Sequence, residues 1–186
     1  MIATAVTVPL VVIIGLLLAG PGSQSPDKSP SPSSGAVLPP VTVSPPSDTS
    51  AATVTTCAKV ISALPLQLDG KDLRRTSSNP PSASIVAWGD PAIVLRCGVS
   101  RPPNLNPSLA AELFQVNGVL VLPHKTSSAT VFTVLDRSVY VDVTVPSSYP
   151  QPPLGPITTA IKKVLPKPVC VQDPSAPRSQ LCTRRK

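Results

Sequence analysis

From residue 84 to residue 145 apolar and polar positions alternate in short runs, and each run predicts a strand. In residues 93–99, IVLRCGV, every second residue is apolar. Ile93, Leu95, Cys97 and Val99 form one face, against Val94, Arg96 and Gly98 on the other. Residues 84–88, SIVAW, precede this run across Gly89-Asp90-Pro91-Ala92. Asp followed by Pro suits a type I turn, so the two runs predict a β-hairpin. The cleanest alternation is residues 138–145: Val139, Val141, Val143 and Val145 face one way, Tyr140, Asp142 and Thr144 the other. A tight turn at Asp136-Arg137 should join it, antiparallel, to a strand over 130–135, and residues 119–122 predict a further strand.

Three stretches have helical spacing instead. Residues 51–63 put Cys57, Ile61 and, just beyond, Leu64 on one stripe and stop before Pro65. Residues 107–116 follow Asn106 as N-cap, with Pro107 in the first turn. Leu109, Leu113 and Val116, with Ala110 and Phe114, form the stripe, and Asn117-Gly118 is the stop. Residues 153–166 turn Ile157, Ile161, Val164 and Leu165 inward and Lys162 and Lys163 outward. Residues 69–83 predict a polar loop. The sum is an α+β domain over residues 51–166: a two-layer sandwich, with helices on one face of an antiparallel sheet of about five strands.

The pattern breaks down before residue 51. Residues 2–20 carry no charge and as a helix would span about 28 Å, close to the hydrocarbon thickness of a bilayer. We expect a single-pass transmembrane anchor over 1–20. A cleaved signal peptide is the rival reading, disfavoured because no good small-x-small cleavage site follows. No Lys or Arg precedes the apolar run, so a start upstream of Met1 is expected. Residues 21–50 hold 17 Pro and Ser and predict a disordered, semi-stiff stalk. Residues 167–186 form a basic tail.

Composition changes this picture in two places. The chain is 41% hydrophobic but only 3% aromatic, so the core is built from Val, Leu, Ile and Ala. The net charge of +7 lies mostly at the C-terminus: from residue 162 onward seven basic residues face the single acid Asp173. Such a tail reads first as a solvated segment that aids solubility, and as a partner surface it suits anionic lipid heads or an anionic wall polymer, with another envelope protein as a further partner. Nucleic acid is not expected, because no aromatic residues interleave with the charges. The four cysteines, Cys57, Cys97, Cys170 and Cys182, form no C-x-x-C pair. Behind an apolar N-terminal segment they suggest two disulfides in an oxidising compartment, and hence a domain outside the cytoplasm. Three connectivities exist; Cys57–Cys97 with Cys170–Cys182 is the preferred one, because Cys57 and Cys97 both fall on apolar faces.

Candidate chemistry is sparse. His124 is the only histidine and has no partner motif, so it is read as a loop residue without a role, and no metal or cofactor is expected. Among the carboxylates, Asp90 and Asp136 are read as turn residues and Glu112 as the solvated face of a helix; Asp72 has no assigned partner. Arg96 and Asp142 sit on the polar faces of their strands and would pair if those strands are neighbours. Trp88 is read as a core residue, with sugar stacking as its functional alternative. Arg96, Asp142 and Trp88 are thus the candidate binding residues, and no catalytic residue is assigned.

Together, Cys57 to Leu64-Pro65, WGDPAIVLRCGV (88–99), LFQVNGV (113–119) and LDRSVYVDVTVP (135–146) resemble an actinobacterial family of membrane-anchored proteins known only as a domain of unknown function. The resemblance covers about residues 57–165 and the anchor. It implies an extracytoplasmic domain on a single-pass anchor, with Cys57 and Cys97 as the recurring pair, and it brings no activity. The expected function is therefore a non-enzymatic binding or accessory module of the cell envelope. A carboxylate-dependent wall hydrolase using Asp90 or Asp142, or a structural subunit of a membrane complex, are the alternatives.

Overall fold

A computed structural model describes residues 38–102 and 112–167, and the backbone of 169–172 and 180–183. The apolar segment 2–20, most of the stalk and residues 107–111 of the second expected helix lie outside the described residues. Among the described residues no helix is long and apolar enough to cross a membrane.

The chain is α+β. Its strands are β1 (Val41–Thr42), β2 (Gln67–Leu68), β3 (Lys71–Arg74), β4 (Thr76–Ser77), β5 (Ile85–Trp88), β6 (Ile93–Val99), β7 (Phe114–Val116), β8 (Val119–Lys125), β9 (Ala129–Val134), β10 (Tyr140–Pro146), β11 (Val169–Gln172) and β12 (Gln180–Thr183). The helices are α1 (Ala51–Ala63) and α2 (Leu154–Val164). One antiparallel sheet runs β2-β3-β5-β6-β10-β9-β8-β7, while β1 pairs with β4 in parallel and β11 with β12 antiparallel.

The five expected strands are the five contiguous inner strands, β5-β6-β10-β9-β8. The sheet is wider than about five because short edge strands extend it. β3 is cut from the stretch expected as polar loop and β2 lies just before it; both are too short to show alternation. At the other edge the expected helix end Phe114–Val116 is strand. Val116 pairs with Val119 across Asn117 (φ 53°) and Gly118 (φ 78°), two left-handed residues that make a type I′ hairpin turn rather than a helix stop. The Asn117 side chain ties this turn to α2, its Nδ2 donating to the Gly155 carbonyl at 2.9 Å. The β5–β6 connection has the expected four residues, Trp88 facing Ile93, but a different turn: Gly89 sits at φ 70° and the Asp90–Pro91 bond is cis, which a type I turn with Pro in its second position does not have.

Both helices cover one face of the sheet. Their buried stripes (Cys57 and Val60; Leu154, Ile157 and Ile161) meet Trp88, Ile93, Leu95, Cys97, Val121, Val134, Val141 and Val143 in a single core. Cys57 and Cys97 are both fully buried and joined by a disulfide across 40 positions of sequence, with Cα atoms 5.6 Å apart. In the chain-entropy account a loop of this length stabilises the fold by about 4 kcal/mol.

Next to that bridge, β6 departs from its alternation. Val141 faces Cys97 but Tyr140 faces Val99, so Gly98, at φ 86°, is the extra residue of a β-bulge. Val99, expected on the inner face, is therefore turned to the opposite face. The bulge also lets the chain entering α1 approach closely: the Asp48 N–H donates to the Gly98 carbonyl at 2.9 Å. A Cβ on Gly98 would lie 2.9 Å from Thr53 Cγ2 and 3.0 Å from the Asp48 carbonyl oxygen.

Residues 38–50, expected as the end of the stalk, instead run along the domain. The N–H groups of Val41 and Val43 donate to Arg75 and Ser77, Arg74 Nη2 donates to the Pro39 carbonyl, and Pro46 is buried. This strap ends in a helix cap. Asp48 accepts from Ser50 N–H and from Thr53 Oγ1, and Ser50 Oγ accepts from Thr53 N–H. The Thr53 hydroxyl, then the Ser50 amide, hold the Asp48 carboxyl below its ordinary value of 3.8.

Two outcomes follow from this geometry. Gly98→Ala should destabilise the domain by at least about 2 kcal/mol in urea unfolding, through left-handed strain added to the clash with Thr53 and Asp48. Because the folded carboxyl of Asp48 is the stronger acid, its contribution is complete above about pH 4 and lost as pH falls through the folded value. Asp48→Asn should accordingly flatten the loss of melting temperature measured between about pH 5 and about pH 2.

A candidate binding cleft on the open face of the sheet

The face of the sheet away from the helices carries a row of side chains set by strand register. Arg96 on β6 faces Asp142 on β10, which faces Thr133 on β9, which faces Leu122 on β8. The polar members bond in sequence: Arg96 Nη2 lies 3.1 Å from Asp142 Oδ2, and Thr133 Oγ1 donates to Asp142 Oδ1 at 2.6 Å. Both carboxylate oxygens are thereby occupied. Thr133 is buried, and the Arg96 and Asp142 side chains are 28% and 13% exposed. This row is the floor of a cleft of about 670 Å3.

Two segments wall the cleft. One is the strap, at Pro45-Pro46-Ser47. The other is the end of β6 beyond the bulge, Val99-Ser100-Arg101-Pro102. A hydrogen bond of 2.7 Å between Ser47 Oγ and Ser100 Oγ joins the walls. Val131, Pro123 and His124 extend the floor, and Glu112 also lines the cleft. The lining mixes apolar residues with hydroxyl and charged groups, Arg96, Arg101, Glu112 and Asp142 among them, which suits a small ligand with both apolar and polar parts.

The candidate residues separate. Arg96 and Asp142 meet in the cleft. Trp88 does not: it is fully buried among the core residues, its indole N–H donating to the Pro65 carbonyl at 3.1 Å. Sugar stacking requires an exposed ring face, so the structure corrects that alternative. Asp90 projects from the β5–β6 loop and pairs with Arg74 at 3.1 Å, Asp72 accepts from Gln67, and Asp136 pairs with Arg137 and Lys167; none of them lines the cleft. Glu112, expected on the solvated face of a helix, and His124, expected to have no role, both line it. Ser47, Ser100 and Thr133 carry no sequence signal at all, because the strap and the bulge bring them together. Among the described residues no group of three His, Cys, Asp or Glu could hold a metal ion. Register places Cys170 opposite Cys182 between β11 and β12, but their side chains lie outside the described residues.

A family model, a protein of unknown function named DUF3515, matches residues 6–169. The chain belongs to the DUF3515 family. The matched span takes in both bridged cysteines, all five inner strands and the cleft floor. No curated protein and no solved structure matches this DUF3515 chain, so its site is read from its own geometry.

The floor has a direct test. Thr133→Val is nearly isosteric and strips Asp142 of its shorter hydrogen bond. It should lower stability by about 1–2 kcal/mol in chemical denaturation, whereas a freely solvated threonine would give a change near zero.

Proposed function

We propose that this DUF3515 protein is an extracytoplasmic accessory module of the cell envelope, tethered to the membrane through residues 2–20, and that it works by binding rather than by catalysis. One observation carries the reading: the Cys57–Cys97 disulfide, fully buried in the core between α1 and β6. A structural disulfide of this kind belongs to an oxidising compartment. The charge-free N-terminal run supports the tether, and the basic tail suits an anionic wall polymer or a second envelope protein as partner. The signature quoted above supports an actinobacterial source.

Binding is favoured over hydrolysis by how the cleft carboxylates are used. A carboxylate-dependent hydrolase needs two carboxyl groups flanking one bond, one to give a proton and one to attack or to activate water. Of the two carboxylates that line the cleft, Asp142 has both oxygens engaged, by Arg96 and Thr133, which leaves Glu112 without a second working carboxylate; Asp90 is paired with Arg74 outside the cleft.

Non-reducing peptide mapping of the protein taken from the envelope fraction tests this reading. It should return a Cys57–Cys97 linked peptide that disappears on reduction. Free thiols at both positions, in protein recovered from the cytosol, would overturn it.

A further inference from the structure

We propose that the cleft binds the free carboxylate end of a short apolar peptide, with Arg96 as its ion-pair partner. This rests on the reading of the chain as a binding module and names the chemistry of its ligand. The guanidinium is aimed and held before any ligand arrives. Only Nη2 is engaged by Asp142, at 3.1 Å, and Asp142 is itself fixed by Thr133 at 2.6 Å. Nη1 and Nε meet no acceptor among the described residues, and the side chain keeps 28% of its surface open. A planar fork with spare donors, fixed from behind, suits a planar carboxylate.

The surroundings narrow the ligand further. Asp142 and Glu112 line the cleft beside Arg96 and Arg101, so its formal charges balance, and it suits a monoanion better than a dianion such as a phosphate monoester. Pro46, Val99, Leu122 and Val131 give the ligand's body an apolar bed. The bonded hydroxyls of Ser47 and Ser100 offer polar partners at the rim, which suit amide groups better than a plain hydrocarbon chain. The volume of about 670 Å3 accommodates a short peptide.

The test uses the full-length chain in detergent micelles, titrated calorimetrically with N-acetyl-Leu-Ala as the free acid, with its C-terminal amide and with octanoate. The free acid should bind at least about tenfold more tightly than the amide, the value of one charge-assisted bond. Arg96→Gln should reduce the acid to the level of the amide, with the Cys57–Cys97 bridge intact by mapping. Where Arg96→Gln fails to fold, Arg96→Lys keeps the charge without the fork and should still weaken the acid several-fold. Equal binding of acid and amide, or acid binding untouched by either Arg96 variant, overturns the carboxylate assignment while leaving the binding-module reading standing. Octanoate binding as tightly as the peptide acid overturns the peptide assignment. No binding of any of the three overturns the proposal, and the redox state of Cys57 and Cys97 in the envelope then judges the wider reading separately.

Discussion

The architecture turns on one covalent contact, the Cys57–Cys97 bridge, and on the glycine beside it. With only 3% aromatic residues, the core is made of small and medium side chains packed around one buried Trp, and it gains from a staple between its two layers. The bridge joins the middle of α1 to β6. Gly98, the next residue, lets the N-terminus of α1 and the strap approach the sheet to hydrogen-bond distance. A side chain at that point would push them apart.

The same bulge shapes the other face. By adding a residue to β6 it turns Val99 from the core side to the open side, and it sends residues 99–102 out to form a wall. The strap, anchored at Asp48 on Gly98, supplies the opposing wall at Pro45-Pro46-Ser47. Core and cleft are therefore mechanically linked: the features that close the staple also frame the site. Between the walls, the Arg96–Asp142–Thr133 row is a hydrogen-bonded ladder on a sheet face, which gives the cleft a fixed floor while leaving donors of Arg96 open.

Much of the scaffold was legible because alternation is a strong signal where one face of a strand is buried. Val139, Val141, Val143 and Val145 marked β10, and the α1 boundaries came from spacing and Pro65. What escaped has physical causes. β2 and β3 span two and four residues, with Leu68 the one buried side chain between them, too little to impose a period. Asn117-Gly118 reads equally as a helix stop or a hairpin turn, and pairing with Val119 decides in favour of the turn. The phase of Val99 depends on a bulge that a lone glycine does not announce. Of the site, the Arg96–Asp142 pair was visible from strand faces. Ser47 was not, because it reaches the cleft through tertiary placement of a Pro-rich segment that reads as stalk; Ser100 arrives just beyond the bulge, and Glu112 falls in a stretch that reads as helix.

One bridge holds core and cleft together. Amide hydrogen exchange of the protein, oxidised and after reduction of Cys57–Cys97, measures this most directly. Reduction should strip protection from the amides of Asp48, in the strap, and of Cys97, which donates to Ser84, while β8 and β9 stay protected. Unchanged protection at Asp48 and Cys97 after reduction would contradict it.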